Sequence, residues 1–228
     1  YKLYDQPNMD NYDVQMRERQ SFKRAEEIES TRTTLFEGKE CPEVCKIVDF
    51  NNVVVGGFSF GGATAALVAS QNPEPYKCAV MWDGWFNIHL TKQGVHQDLP
   101  LEAHRTGIQI PSLFIGSAEY LEDQHMAKAT TQIQSKCRAA EVHTLQDTVH
   151  MHFTDLPFLL PCFLKGKAEV SETWNRMETL TLDFIAKHCD TQPLNSEDPP
   201  AYSPSTPPAD SPSAPPLDDP SDPKLKDV

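Results

Sequence analysis

The sequence lacks several features that would assign it to particular classes of protein. It contains no window of 18 apolar residues, and its longest apolar stretch, Leu156–Leu164, is interrupted by Pro157 and Pro161. The sequence therefore predicts no transmembrane helix. Lys and Arg number 20 against 33 Asp and Glu, and this acidic balance argues against a basic surface for nucleic acid. The six cysteines form no C-x-x-C pair, and Cys41 and Cys45 alone are a poor signal for a metal site.

Residues 190–228 differ in composition from the rest of the chain. They hold 11 of the 19 prolines, and their eight acidic residues against two lysines account for −6 of the net charge of −13. A segment so poor in apolar residues cannot offset the entropy lost when it becomes ordered. The sequence therefore predicts one folded domain within residues 1–189, followed by a disordered acidic tail rich in Pro and Ser.

Helical and strand-like patterns alternate between residues 13 and 188. Strands are predicted directly before Ser59 and over residues 78–82, 111–120 and 141–145. Helices are predicted over residues 13–36, from Phe60 to about Asn72, and over residues 121–139 and 171–188. Residues 86–107 show no clear period, and we interpret them as a long excursion. Alternation of this kind predicts a mostly parallel sheet that is flanked by helices.

The segment Gly57-Phe58-Ser59-Phe60-Gly61 places one serine where a strand must turn sharply into a helix. Three valines precede it, and an Ala- and Leu-rich run follows it. This is the G-x-S-x-G nucleophile elbow that is typical of α/β-hydrolases. The pattern makes Ser59 a candidate nucleophile and the backbone N–H of Phe60 a candidate donor to an oxyanion.

A serine nucleophile needs a base and a third group that holds the base. In the α/β-hydrolase fold the acid and then the histidine follow the serine along the chain. His150 lies in the loop after the last predicted strand, whereas His143 lies within that strand and His152 is two residues further on. Position alone leaves four carboxylates open as the acid: Asp83 after the second strand, and Glu119, Glu122 and Asp123 after the third.

Three motifs resemble those of the platelet-activating factor acetylhydrolases, the group VII phospholipases A2. The first, "GFSFGGATA", is similar to the G-H-S-F-G-G-A-T serine motif of that family. The second, Met81-Trp82-Asp83-Gly84-Trp85, stands where the family has a strand ending in Leu-Asp-Ala-Trp. In the third, Val149-His150 precedes Phe153, Asp155 and Phe158 in a pattern similar to the family's Phe-x-Asp-Phe-x-Phe. The resemblance extends over about residues 13–188.

This resemblance implies a serine esterase with Ser59 as nucleophile, Asp83 as orienting acid and His150 as general base. It further implies hydrolysis of the sn-2 acyl ester of platelet-activating factor and of short-chain or oxidised phospholipids, without metal or cofactor. Leu156–Leu164 and the lysines after it are a candidate contact with a membrane or lipoprotein surface. The alternative, which the sequence favours slightly, is a helix packed onto the sheet. The family has both cytoplasmic and secreted members, so the compartment stays open.

The resemblance also has departures. Only four strands are predicted, which corresponds to the C-terminal half of an α/β-hydrolase sheet, and the second oxyanion donor is expected from a loop that would precede them. Phe58 stands where the family has a histidine before the serine. The alternative hypothesis is therefore a catalytically impaired fragment or pseudoenzyme that acts as a binding or scaffold module.

Overall fold

The computed structural model describes residues 12–38, 42–90, 95–99, 101–159 and 167–189. Its helices are α1 (Tyr12–Glu37), α2 (Pro42–Cys45), α3 (Phe60–Gln71), α4 (Glu102–Thr106), α5 (Ala118–Glu122), α6 (Gln124–Gln134), α7 (Leu156–Leu159) and α8 (Val170–His188). Its strands are β1 (Val54–Phe58), β2 (Cys78–Trp82), β3 (Asn87–Leu90), β4 (Val95–Asp98), β5 (Ser112–Ser117) and β6 (Ala140–Leu145). A 3₁₀ turn covers His150–Phe153.

Four strands form one sheet in the order β1-β2-β5-β6, and every neighbouring pair is parallel. The predicted parallel sheet is thereby confirmed. Because the strands run in one direction, their carboxyl ends lie along one edge, and in open α/β sheets this edge is where ligands bind. Ser117 ends β5 at that edge, and the segments that carry Ser59, Asp83 and His150 follow the ends of β1, β2 and β6 there.

Helices cover both faces of the sheet and bury its apolar side chains. On one face α3 is buried from Gly62 to Ala69, since the predominance of Gly and Ala lets it approach the sheet closely. The helix α1 packs there too, through Phe22, Ala25 and Ile28. On the other face α8 packs through three regularly spaced side chains, Met177, Leu180 and Phe184.

The structure departs from the sequence prediction in three places. The excursion over residues 86–107 contains the antiparallel hairpin β3–β4 and the short helix α4. The helix predicted over residues 121–139 begins earlier and is split at Asp123, whose carboxylate caps α6 by accepting the N–H groups of His125 and Met126. The strand predicted over residues 111–120 ends at Ser117, because Ala118–Glu122 form α5. The predicted tail at residues 190–228 lies outside the described residues.

The turn between β1 and α3 depends on one glycine for close packing. A Cβ atom on Gly57 would lie 2.4 Å from the backbone carbon and oxygen of Gly61, so any side chain there would push the strand away from the helix. Gly61 itself faces open space, because no atom lies within 4 Å of the position its Cβ would take. Of the two glycines in the G-x-S-x-G pattern, Gly57 is therefore required for close packing, whereas Gly61 has room for a side chain.

We expect Gly57→Ala to lower the free energy of unfolding by about 1–3 kcal/mol, because the new methyl group overpacks against backbone that cannot move aside cheaply. Gly61→Ala is the matched control. It should leave stability unchanged or raise it by up to about 1 kcal/mol, since alanine favours the helix over glycine. Urea unfolding of the two variants checks this, and equal destabilisation by both would contradict the packing argument.

Candidate active site

Ser59 occupies the tip of the β1–α3 turn in a strained backbone conformation. Its φ of 56° and ψ of −122° lie in a region that non-glycine residues rarely adopt. Its N–H donates to the carbonyl of Trp82, and its own carbonyl accepts the N–H groups of Ala63 and Trp85. These bonds fix Ser59 against the end of β2, so the strain is offset by the surrounding structure.

Asp83 follows β2 directly, and its side chain is 0% exposed. One carboxylate oxygen, Oδ1, accepts the backbone N–H of Ser117 at 2.7 Å. The other, Oδ2, accepts the hydroxyl of Ser117 at 2.8 Å. Burying a carboxylate is costly unless such donors replace water, and both donors come from the end of the neighbouring strand β5.

His150, at the start of the 3₁₀ turn after β6, joins the other two residues. Its Nδ1 lies 2.7 Å from Oδ2 of Asp83, and its Nε2 lies 2.9 Å from Oγ of Ser59. A carboxylate can only accept, so the proton of the neutral imidazole is assigned to Nδ1, and Nε2 is left to accept the serine hydroxyl. The structure thus places the sequence-predicted Ser59, Asp83 and His150 in one hydrogen-bonded chain.

The remaining candidate carboxylates lie elsewhere. Glu119 contacts the backbone of the segment after β6 that carries His150 (residues 146–153, the histidine loop). Its Oε2 accepts the N–H of His150 at 2.8 Å. Asp123 caps α6, and Glu122 is exposed. Of the four candidate carboxylates, Asp83 is the one whose side chain contacts the imidazole.

The other two histidines near the sheet edge contact different groups. His143 lies on β6, and its Nε2 is 2.9 Å from a carboxylate oxygen of Glu141. His152 is fully buried; its Nδ1 accepts the N–H of Val149, and its Nε2 lies 3.2 Å from the carbonyl of Ala168. Both nitrogens of His152 are thus used to hold the histidine loop. Within the described part of the chain, no group of three His, Cys, Asp or Glu side chains is arranged to hold a metal ion.

Phe60, the predicted backbone donor, is the first residue of α3. The N–H groups of the first helical turn have no partner within the helix, so this one is available beside the serine. The ring of Phe60 packs edge-on against Trp85 at 6.1 Å, and the guanidinium groups of Arg17 and Arg24 lie over it at 5.6 and 5.1 Å. The side chain therefore anchors α1 to the elbow.

Sequence reasoning missed two residues of this site, Ser117 and Tyr120. The ring of Tyr120 lies parallel to the imidazole of His150, and its hydroxyl is 3.3 Å from Nε2. Burial and the negative charge of Asp83 raise the pKa of Tyr120 above its ordinary value, although a hydrogen bond with Ser59 acts in the opposite direction. Tyr120 therefore stays protonated as a hydrogen-bond donor. Tyr120 is the last residue of the third predicted strand, so its place at the carboxyl end of that strand was the signal that could have found it.

None of the helices among the described residues combines the length and the apolar character needed to cross a membrane.

The fold has a clear counterpart among solved structures. A ferulic acid esterase from Streptomyces cinnamoneus superposes with a TM-score of 0.59 at 19% identity, over 88% of this chain and 56% of the esterase. At this level of identity the likeness concerns the fold, and it agrees with the predicted α/β-hydrolase architecture.

Curated relatives are similar over much of the chain. The platelet-activating factor acetylhydrolase of Gallus gallus is 26% identical over 149 residues, which is 62% of this chain and 32% of that protein. The one from Cavia porcellus is 23% identical over 197 residues, which is 78% of this chain and 42% of that protein. The chain thus spans less than half the length of these relatives.

Residues 3–200 match the protein family described as platelet-activating factor acetylhydrolase, isoform II. The match covers well over half of the chain, including every residue of the hydrogen-bonded site. The chain therefore belongs to the platelet-activating factor acetylhydrolase family.

Proposed function

We propose that this chain is the catalytic part of a serine ester hydrolase, in which Ser59 is the nucleophile, His150 the general base and Asp83 the group that orients it. The observation that supports this most directly is the unbroken chain of hydrogen bonds, 2.9 Å from Ser59 to His150 and 2.7 Å from His150 to Asp83. Membership of the family favours an ester as substrate.

In the first step Nε2 of His150 takes the proton of Ser59 while Oγ attacks the ester carbonyl. The imidazolium that forms is stabilised by the buried carboxylate of Asp83 at 2.7 Å. The tetrahedral intermediate then collapses, its bond to the alcohol breaks, and His150 returns the proton to the departing alcohol. Ser59 is left carrying the acyl group.

In the second step His150 takes a proton from a water molecule, which attacks the acyl carbonyl. The second tetrahedral intermediate releases the carboxylic acid, and the proton returns to Oγ of Ser59. The imidazole of His150 is 20% exposed, so water can reach Nε2 once the alcohol has left.

The oxyanion of each intermediate is proposed to bind the backbone N–H of Phe60 at the start of α3. A helix N-terminus favours negative charge, because its free N–H groups and its dipole point toward it. A second donor is proposed from a loop upstream of β1. One such donor is worth about 10²–10³ in rate.

The proposed substrate class is phospholipid that carries a short or oxidised acyl chain at the sn-2 position. The curated relatives are named for the acetyl ester of this kind. Phe158 and Leu159 follow the histidine loop and are 56% and 69% exposed. We propose that they contact the surface in which such a lipid is presented.

We expect Ser59→Ala to remove hydrolysis of p-nitrophenyl acetate, because no nucleophile remains. Asp83→Asn should lower kcat by about 10⁴, since an amide cannot hold the imidazole in the tautomer that accepts from serine. Stopped assays with both variants, together with circular dichroism to establish folding, check this. A folded Ser59→Ala protein with unchanged activity would contradict the proposal, and a folded but inactive wild-type chain would favour the impaired binding module.

Ser117→Ala should lower kcat about tenfold, because Asp83 loses a hydrogen bond to its charged oxygen but keeps the backbone N–H of the same residue. Ser112→Ala is the matched control, since this serine is buried on the same strand and its hydroxyl donates to the carbonyl of Ile110. It should leave kcat unchanged. Equal losses in both variants would mean that strand β5, rather than the bond to Asp83, is responsible.

Hydrolysis should be at least tenfold faster for a phosphatidylcholine with an sn-2 acetyl group than for one with an sn-2 oleoyl group. The double variant Phe158→Ser and Leu159→Ser should lose activity on vesicles and keep it on p-nitrophenyl acetate, because the changed side chains lie on the exposed face of α7. Equal rates on both lipids would contradict the proposed substrate class. Unchanged vesicle activity would contradict the proposed lipid contact.

A further inference from the structure

Four aromatic rings form a column that passes through the candidate active site. Phe153, which is buried, lies parallel to Phe58, with a centroid distance of 6.3 Å and an interplanar angle of 7°. Phe58 stacks on the imidazole of His150 at 4.6 Å and 26°. Tyr120 stacks on His150 as well, at 4.4 Å and 6°. The imidazole is therefore one member of a column that begins in the core.

The contacts of His150 fall into two sets with different consequences. The hydrogen bonds to Ser59 and Asp83 lie along the edges of the ring and set how it is rotated within its own plane. They restrain tilting of the plane only weakly, because a ring that turns about the line joining Nδ1 and Nε2 keeps both nitrogens in place. Contacts on the ring faces restrain tilting directly, and stacked aromatic pairs contribute about 0.5–1.5 kcal/mol each.

Phe58 and Tyr120 reach the imidazole from separate elements. Phe58 ends β1 immediately before the nucleophile, whereas Tyr120 lies on α5 after β5. The histidine loop itself comes from β6, so three parts of the sheet edge converge on one ring. Contacts from three elements hold the ring of His150 more firmly than its own loop would. A loop is otherwise the least rigid support for a site.

We propose that Phe58 and Tyr120 are positioning residues that form an aromatic clamp on His150 and keep its plane aligned with both Ser59 and Asp83. The clamp would serve the general base of the proposed function, on which this inference rests. It also explains how a phenylalanine can stand at position 58, where the family has a histidine. The rings of phenylalanine and histidine are both flat, and either can stack on the imidazole of His150.

The clamp is tested by proton NMR of the full chain, through the far-downfield resonance of the His150 Nδ1–H that is bonded to Asp83. Asp83→Asn should remove this resonance and so assigns it. Phe58→Leu and Tyr120→Leu should broaden or remove it, because leucine fills similar space without a flat face. Phe58→His and Tyr120→Phe keep a flat ring and should keep the resonance.

Tyr76→Leu is the matched control, because Tyr76 is a buried tyrosine that bonds to Glu29 and packs in the core. The Tyr76→Leu protein should keep the Nδ1–H resonance of His150, although the substitution removes a tyrosine ring just as Tyr120→Leu does. On p-nitrophenyl acetate, Phe58→Leu and Tyr120→Leu should each lower kcat about three- to tenfold with KM unchanged. Phe58→His should restore the rate that Phe58→Leu loses.

The clamp is overturned if the folded Phe58→Leu and Tyr120→Leu proteins keep the resonance, or if the unsubstituted chain shows none. The first of these results would leave the proposed function standing as long as wild-type hydrolysis depends on Ser59. Conversely, an inactive wild-type chain whose resonance responds as expected would remove the proposed function while supporting the clamp.

Discussion

The site depends on one buried negative charge. Asp83 is enclosed at the end of β2, and both of its oxygens are occupied by donors from Ser117 and His150. Removing a carboxylate from water is costly unless it is paired and hydrogen-bonded. The register of β2 against β5 supplies two of the bonds, and the loop after β6 supplies the third. This charge can therefore be buried only when the ends of β2, β5 and β6 are all in their folded positions. The same positions place His150 within hydrogen-bond distance of Ser59.

The position of Ser59 is fixed by the close packing of β1 against α3. The close approach of β1 and α3 at Gly57 forces a sharp turn, and the backbone bonds of Ser59 to β2 hold its positive φ. The two phenylalanines that flank the serine pack against different parts of the protein. Phe58 stacks on His150 and Phe60 packs toward α1 and Trp85. The small polar residue between two aromatics thus lies between His150 on one side and the helix α1 on the other.

Much of this arrangement could be predicted from the sequence, and the physical reason is the parallel sheet. Its strands are short apolar runs that the alternation pattern reveals, and their carboxyl ends meet at one edge, so Ser59 and His150 were identifiable as neighbours. Position left four carboxylates open as their partner, and only the family resemblance singled out Asp83. The residues missed depend on information that periodicity does not carry. Ser117 reaches Asp83 through the register of β2 and β5, and Tyr120 reaches His150 through the turn after β5. The hairpin β3–β4 has four-residue strands, which are too short to show a period.

The central claim is that Ser59 is an activated nucleophile, and the measurement that tests it most directly is the site of covalent reaction with a fluorophosphonate. The probe phosphonylates a serine only when a base removes its proton, and peptide mass spectrometry identifies the modified residue. The account predicts a single adduct on the peptide that carries Ser59, formed by the folded protein and lost on denaturation. A folded protein without that adduct, or with the adduct on another serine, would contradict it.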